Sequence, residues 1–341
     1  MAGSMTSLER LLAVINGEKP DYIPVFPLLN EHAAKMVSMS VIDYFRNPQH
    51  LAEGQMALVK HFGHDFLLAF TYLAREAAAL GVPTFFHEDE SPTTGKPVVS
   101  TPEELLSLEI PDFHTNEQTA PVLQQISEMV EKSNGEYPII GVATGPFSLP
   151  TMIMGNDQWL TALFMEELGT IKKVLEFTRE FTSQWANAQL EAGCHAVGIV
   201  EGSATRSIVP EDVFVDLVKP VLASCVKQID GITVILGVGG EIEPYIPHIG
   251  QTGIAGAVIS TNDSIQACKS LDDKLIIFGN VNNLEFIDYS PENIDTIVKS
   301  TIEAGKGGRF VLSTQYVLPV QVTEEQIKLF VESSRRYGKV D

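Results

Sequence analysis

The repeating unit of the fold is HAVGIVE at residues 195–201, PEDVFVDLVKPVLASCVKQI at residues 210–229 and TVILGV at residues 233–238. The first and last runs are short and almost continuously apolar, which is typical of parallel strands buried on both faces. The middle run has apolar residues three and four positions apart with charges between them, which predicts an amphipathic helix. Because parallel neighbours need a crossover connection, the stretch predicts one strand–helix–strand unit.

The same alternation extends outward along the whole chain. Short runs rich in Val, Ile and Phe occur eight times: Tyr22–Leu29, Asp65–Phe70, Tyr137–Ala143, His195–Glu201, Thr233–Val238, Gly256–Ser260, Leu275–Asn280 and Arg309–Thr314. Helical periodicity separates them, and Trp159–Ala192 is predicted as one long crossover helix. The pattern predicts the α/β class, as a single (β/α)8 TIM barrel over residues 6–341. An N-terminal extension and rim insertions are expected, the latter in the polar segment Phe86–Thr115.

The composition excludes several classes of protein. The chain has 341 residues, of which 44% are apolar, so it can bury a large core. Its 23 Lys and Arg against 44 Asp and Glu give a formal net charge of −21. This charge repels nucleic-acid backbones and anionic membrane surfaces. No apolar run approaches the roughly 18 residues of a membrane span, so no membrane-spanning segment is predicted.

Cysteine usage and the N-terminus bear on the compartment. Cys194, Cys225 and Cys268 are far apart and cannot form a framework of disulfides, which predicts a reducing cytoplasm. The segment MAGSM at residues 1–5 has no basic region followed by an apolar run, as a secretory signal would. We interpret it as a cloning remnant that ends at the native Met5.

Candidate site residues follow from the barrel prediction. Side chains at the C-terminal ends of barrel strands, and in the loops after them, surround the active site. Polar residues, aromatic residues and glycines occupy those positions here. They are Asn30, Glu31, His32, Tyr72, Arg75, Thr144, Glu201, Ser203, Gly237, Gly239, Gly240, Glu241, Asn262, Asn280, Asn282, Gln315 and Tyr316.

Several landmarks carry a resemblance to a known family. They are LER at 8–10, INGEKPDYIPV at 15–25, IGVATGPF at 140–147, GNV at 279–281, GGRFVLS at 307–313, LP at 318–319 and RYG at 336–338. On these residues the chain resembles the uroporphyrinogen decarboxylase superfamily, including its corrinoid-dependent methyltransferase branch. The resemblance covers nearly the whole chain and implies the same barrel.

The decarboxylases of that superfamily use two motifs that are missing here. They carry an arginine-bearing segment after the first strand, whereas this chain has FPLLNEH at residues 26–32. Their aspartate after the second strand corresponds to Tyr72. A porphyrinogen has many carboxylates, which arginine normally pairs in bidentate fashion. The resemblance therefore disfavours porphyrinogen decarboxylation.

The thiol-methylating members bind zinc through a His-x-Cys after the fifth strand and a Cys after the eighth. The matching positions are Gly237, Gly239 and Tyr316, which supply neither imidazole nor thiolate. We therefore expect no bound zinc. An oxygen-rich set that includes Glu201 and Glu241 is left open.

The resemblance then implies the other half of the corrinoid methyl cycle. A methyl group passes between a small O-methyl or N-methyl compound and the corrinoid (cobalamin) of a partner protein. The expected catalytic residues are Glu201, with a pKa raised by burial in the barrel mouth, and Tyr316; either would support the leaving group. The predicted substrate-binding residues are Asn30, His32, Tyr72, Arg75, Asn262, Asn280 and Gln315. The residues predicted to lie against the corrinoid are Gly237, Gly239 and Gly240.

Other interpretations stay open at this point. The chain could pass methyl from corrinoid to tetrahydrofolate, with Asn262, Asn280 and Asn282 holding the pterin. It could also be a decarboxylase-like relative or a barrel that only binds its ligand. Glu201 could be a structural acid held by amides of a neighbouring loop. The direction of transfer and the oligomeric state, including a homodimer, are not fixed by the sequence.

Overall fold

The computed structural model describes residues 5–340, so four of the five residues interpreted as a cloning remnant lie outside the described residues. The strands are β1 Val25–Phe26, β2 Leu67–Ala69, β3 Thr84–Phe85, β4 Thr93–Thr94, β5 Ile139–Thr144, β6 Ala196–Val200, β7 Ile232–Leu236, β8 Gly256–Val258, β9 Ile276–Val281 and β10 Phe310–Thr314. Eight form one parallel sheet in the order β1-β10-β9-β8-β7-β6-β5-β2. Each predicted run overlaps one of these strands to within one residue at the ends that extend beyond it, which confirms the TIM barrel. The remaining two, β3 and β4, pair antiparallel; β3 directly precedes the predicted rim insertion and β4 lies within it.

The helices lie around this sheet. They are α1 Ser7–Asn16, α2 His32–Met36, α3 Val41–Arg46, α4 Leu51–Phe62, α5 Ala74–Ala79, α6 Pro102–Leu105, α7 Ala120–Ser133, α8 Leu149–Met154, α9 Asn156–Met165, α10 Leu168–Glu191, α11 Glu211–Val213, α12 Lys219–Lys227, α13 Ile246–Ile249, α14 Ile265–Leu271, α15 Pro291–Gly305 and α16 Glu324–Tyr337. Within residues 5–340, none has the length and apolar character needed to cross a membrane.

Two predicted helices differ from the structure. The single helix expected over Trp159–Ala192 is wrong, because the backbone is extended at Glu166 and Glu167 and separates α9 from α10. The helix expected over residues 210–229 contains a π-helical turn at Phe214–Val218, between α11 and α12. Pro220 follows that turn and has no amide hydrogen for an α-helical bond, which accounts for the wider turn.

The barrel interior is apolar. On β6, Ala196, Gly198 and Val200 face the interior, whereas Val197 and Ile199 pack against the helices. The buried interior side chains are Phe26, Leu28, Phe66, Leu68, Phe70, Val142, Val200, Val234, Leu236, Val258, Ile276, Phe278, Val311 and Val317, joined by Leu11 and Val14 of α1. The N-terminal extension therefore completes the core at the end where the strands begin.

The two strands at the ends of the sheet order, β1 and β2, meet through Asp65. The Asp65 amide donates to the Val25 carbonyl at 3.0 Å, and its Oδ2 accepts from the Val25 amide at 2.8 Å. Its Oδ1 accepts from the Ser7 hydroxyl at 2.9 Å, from Arg10 Nη1 at 2.6 Å and from Arg335 Nη2 at 2.9 Å. One fully buried carboxylate thus joins the seam of the barrel to α1 and α16.

Candidate functional site

The barrel mouth is the C-terminal end of the barrel, where Phe70, Val200, Leu236 and Val258 form a buried apolar wall with Tyr316 beside it. These residues stand at or just after the ends of β2, β6, β7, β8 and β10. A mostly apolar concavity with a few polar groups at its edge is typical of a small-molecule site. The geometry therefore places a candidate site where a TIM barrel usually has one.

Tyr316 lies at the predicted position and lines the barrel interior next to Val317. Among the described residues, its hydroxyl has no hydrogen-bond partner. Burial, and to a smaller extent the charge of Glu31, raise the pKa of Tyr316 to about 12. The phenol is consequently protonated at neutral pH and free to donate a hydrogen bond to a ligand.

Gln315 and Asn280 form part of the rim of the mouth, but their polar atoms already bind neighbouring loops. Gln315 Oε1 accepts from the Thr261 amide at 3.0 Å, and its Nε2 donates to Asn283 Oδ1 at 3.1 Å. Asn280 Nδ2 donates to the carbonyls of Ser260 at 2.8 Å and of Asp263 at 2.9 Å. Sequence reasoning missed Asn283, whose only signal is its place in the run of asparagines after β9.

The other two asparagines proposed for a pterin make hydrogen bonds within their own loops. Asn262 is exposed, and its backbone amide donates to the Ser260 hydroxyl at 3.0 Å. Asn282 Oδ1 accepts from the amides of Leu284 and Glu285 and so closes a local turn. These contacts give each asparagine a separate local function.

The loop after β1 carries buried polar groups. Asn30 Nδ2 donates to the Thr71 carbonyl at 2.6 Å, while Asn30 Oδ1 is buried without a partner. Glu31 is 5% exposed; its Oε1 accepts from the Ser91 hydroxyl at 2.5 Å, and its Oε2 is buried without a partner. Burial raises the pKa of Glu31, which favours the protonated carboxyl.

His32 lies away from the other mouth residues. Its Nε2 donates to the Val322 carbonyl at 3.0 Å, in the segment before α16. Burial lowers the pKa of His32 to about 4, so the ring is neutral at neutral pH. The contact points to a packing role for His32, which was predicted to bind substrate.

Tyr72 and Arg75 line a groove outside the barrel and not the space beside Tyr316. The Arg75 guanidinium lies 4.4 Å from the Tyr72 ring centroid and donates to the carbonyls of Phe45 at 2.9 Å and Gln118 at 3.1 Å. Both side chains are buried, so they are not the helix-surface pair that was one alternative. The structure does not bring this predicted pair together with the mouth.

The Glu201 side chain is not among those that line the barrel interior. Since Val200 faces the interior, the next side chain points to the helices, because strand residues alternate. Glu201 is 1% exposed; its Oε1 accepts from the Phe147 amide at 3.0 Å and its Oε2 from the Ser148 hydroxyl at 2.7 Å. A Cβ at Gly145 would come within 2.3 Å of the carboxyl. The contacts match the structural alternative, and a catalytic role stays a prediction.

Glu201→Gln tests that role. Burial raises the pKa of Glu201 from 4.5 to about 7, so its protonation stabilises the folded protein most below pH 4.5, and this contribution is lost as the pH rises through about 7. Glutamine is always neutral and can accept from Phe147 while donating to Ser148. We therefore expect the variant to gain stability relative to wild type between about pH 5 and 8, measured by urea unfolding.

A stability difference that is constant over this range would contradict the titration. The exposed Glu131→Gln on α7 is the matched control and should show no such trend. If Glu201 were a general acid, Glu201→Gln should lower the rate of methyl transfer about a hundredfold. We expect a change below about tenfold, because both Glu201 oxygens already accept hydrogen bonds from the loop after β5.

The glycines after β7 are required by packing within the loop. A Cβ at Gly237 would lie 3.0 Å from Ile242, and one at Gly240 would lie 2.7 Å from Thr205. Gly239 has φ +82°, and Val238 before it has φ +52°, so this turn uses the left-handed region twice. The glycines thus need no bound corrinoid to explain them, and the predicted contact stays a proposal.

The zinc positions of the thiol-methylating relatives do not fit zinc in this chain. Gly237, Gly239 and Tyr316 offer no imidazole or thiolate, and Glu241 lies 3.8 Å from Arg206 rather than beside Glu201. Over residues 5–340, no group of three or more His, Cys, Asp or Glu side chains is placed to hold a metal ion. All three cysteines are buried and unpaired.

We therefore expect purified protein to contain less than stoichiometric zinc. Mass-spectrometric metal analysis after purification without chelators measures this directly. Protein incubated with zinc and then dialysed is the control for loose binding. One zinc per chain that survives dialysis would show that another ligand set exists.

Comparisons with known proteins agree with this fold. The sequence profile of the uroporphyrinogen decarboxylase (URO-D) family matches residues 6–337. The methylcobamide:CoM methyltransferase MtbA of Methanosarcina acetivorans is 24% identical over 253 residues, covering 73% of this chain and 72% of its own. The uroporphyrinogen decarboxylase of Actinobacillus succinogenes is 23% identical, covering 97% of each chain. A solved methyltransferase from Methanosarcina mazei has the same fold, with TM-score 0.87, 20% identity and coverage of 98% and 99%.

Proposed function

The chain belongs to the uroporphyrinogen decarboxylase family, and from that premise we propose that it is a corrinoid-dependent methyltransferase. It moves a methyl group between a small methylated compound and the corrinoid of a partner protein. The observation that carries the proposal is the barrel mouth, in which an unpartnered Tyr316 hydroxyl stands over an apolar wall. A relative named as a methylcobamide methyltransferase supports the corrinoid partner.

The charge of the mouth argues against porphyrinogen decarboxylation. Among the described residues that line the barrel interior, none is an arginine or a lysine. Arg75, the nearest arginine in sequence to the end of β2, donates to two carbonyls and to the Thr71 hydroxyl. A ligand with several carboxylates would enter this apolar space without a cation to pair with, which is costly.

The residues present suit methyl transfer to an external nucleophile. When the partner is docked, its reduced corrinoid supplies the nucleophile. The apolar wall of Phe70, Val200, Leu236 and Val258 excludes water and orients the methyl group. The Tyr316 hydroxyl donates a hydrogen bond to the heteroatom that loses the methyl group.

The test is incubation with a reduced corrinoid protein and a panel of O-methyl and N-methyl compounds. Enzyme-dependent change in the corrinoid absorption spectrum, with release of the demethylated compound, is the expected result. A mixture without the enzyme is the control. Decarboxylation of a porphyrinogen, with no transfer from any donor, would overturn the proposal. Methylation of added tetrahydrofolate, with no donor consumed, would identify the folate alternative.

A further inference from the structure

A groove outside the barrel brings positive charge and aromatic rings together. We call it the outer groove; it is lined by Phe45 and Arg46 of α3, Tyr72 after β2, Arg75 of α5 and Phe86 after β3, among others. Its volume is about 730 Å³, which lies in the usual range for a small-molecule site. Among the described residues, none lines both the outer groove and the barrel interior. The outer groove is therefore distinct from the space beside the barrel mouth.

Arg75 in this groove is a buried cation without a counter-ion. It is 6% exposed, and no Asp or Glu within residues 5–340 forms an ion pair with it. The carboxylate next to it in sequence, Glu76, accepts instead from a backbone amide of β5. Buried charges in native proteins are normally paired with an opposite charge. The groove therefore lacks an anion that Arg75 would bind.

The hydrogen bonds of Arg75 leave room for that anion. Its Nε donates to the Thr71 hydroxyl at 2.8 Å, its Nη1 to the Gln118 carbonyl at 3.1 Å and its Nη2 to the Phe45 carbonyl at 2.9 Å. A guanidinium has five N–H groups, so one on each Nη has no acceptor in the part of the chain that the structure describes. Two N–H groups are the number that a carboxylate accepts in a bidentate pair.

Arg46 is a second cation without a carboxylate partner among residues 5–340, and it is exposed. Its guanidinium lies 4.9 Å from the centroid of the Phe86 ring. The Phe86 ring meets the Tyr72 ring edge to face at 5.9 Å, and the Arg75 guanidinium lies 4.4 Å from the Tyr72 centroid. The four side chains thus form a continuous row, with a cation at each end and two rings between them.

The charge of the lining limits the kind of anion. Of the described residues that line the groove, Glu117 is the one that carries a carboxylate, and its Oε1 accepts from Gln118 Nε2 at 3.4 Å. The lining therefore has a net charge of +1, on a chain whose formal net charge is −21. A single negative charge satisfies Arg75, whereas a dianion would be repelled by Glu117 and by the rest of the protein.

We propose that the outer groove binds a planar aromatic monocarboxylate. The carboxylate pairs with the two available N–H groups of Arg75, and the aromatic body packs against the rings of Tyr72 and Phe86. Arg46 attracts the anion without a fixed hydrogen bond. The inference involves no methyl transfer, so it goes beyond the proposed function and does not depend on it.

Titration with 2-naphthoate, followed by its fluorescence, tests the site. The neutral analogue 2-naphthamide has the same ring system and measures packing alone. We expect wild type to bind the carboxylate at least about tenfold more tightly than the amide, the value of a charge-assisted hydrogen bond. Arg75→Gln keeps amide donors for the neighbouring carbonyls and should make the two affinities equal. Arg46→Gln should weaken binding of the carboxylate about two- to fivefold, because the side chain is exposed.

Lys173→Gln is the matched control, since it removes one positive charge from the exposed surface of α10 and should keep the wild-type preference. No binding of 2-naphthoate by wild type, or equal affinity for the two compounds, would overturn the site. An undiminished preference in Arg75→Gln would also overturn it. If Arg75→Gln fails to fold by circular dichroism, the wild-type preference and its decrease in Arg46→Gln decide together. Tighter binding of 2-naphthyl phosphate than of 2-naphthoate would overturn the assignment to a monocarboxylate.

Discussion

Replacement of Asp65 by alanine is expected to lower the free energy of unfolding by about 3–5 kcal/mol. The Asp65 side chain is fully buried and accepts hydrogen bonds from Arg10, Arg335 and the Val25 amide. Without the carboxylate, the Arg10 guanidinium keeps only its hydrogen bonds to Asp21 and to the Met5 carbonyl. The seam between β1 and β2 also loses the hydrogen bond from the Val25 amide to the Asp65 side chain. Removing one partner of a buried ion pair leaves an uncompensated charge, which is the origin of the large cost.

Urea unfolding followed by circular dichroism measures this loss. Glu303→Ala is the matched control, because Glu303 also forms an ion pair, with Lys306, but on the exposed surface of α15. It should lose much less, since exposed ion pairs contribute little. Equal losses in the two variants would show that Asp65 is not what closes the barrel.

The barrel could be predicted from the sequence because its strands are buried on both faces and read as apolar runs. The ends of the strands were less certain. Within the run Tyr22–Leu29, only Val25 and Phe26 pair in the barrel sheet, since Pro24 and Pro27 on either side have no amide to donate. The break between α9 and α10 has no proline, and the nearby Gly169 lies inside α10, so periodicity alone could not reveal the break.

The site was harder to predict than the fold. Both faces of β6 are apolar, so the sequence does not say whether Val200 or Glu201 turns toward the interior. Tyr316 could be predicted to lie near the barrel interior, which it lines, because it closely follows the last strand. The unpaired oxygen of Glu31 depends on which side chains surround it, among them Ser91 about sixty positions away in sequence. Such a property belongs to the packed structure and has no sequence pattern.

Tyr316→Phe is expected to slow single-turnover methyl transfer by about ten- to a hundredfold, the value of one hydrogen bond to a charged leaving group. The variant keeps the ring against Val317, so packing and substrate affinity should persist. Because the hydroxyl has no partner among the described residues, its removal leaves no other protein group without a hydrogen-bond partner. With a pKa of about 12, the phenol is protonated throughout the working range, so the effect should not depend on pH.

Rapid-mixing measurements of the corrinoid spectrum give the transfer step separately from binding. Tyr289→Phe is the matched control, since its hydroxyl donates to Glu285 on the outer surface and should not affect transfer. The effect of Tyr316→Phe should also grow along a series of aryl methyl ethers as the phenol released becomes less acidic. A poorer leaving group carries more charge on oxygen in the transition state and gains more from the donor. If Tyr316→Phe instead lowers the affinity for every ether equally and leaves the rate of the transfer step unchanged, Tyr316 only shapes the mouth and is not a hydrogen-bond donor in the reaction.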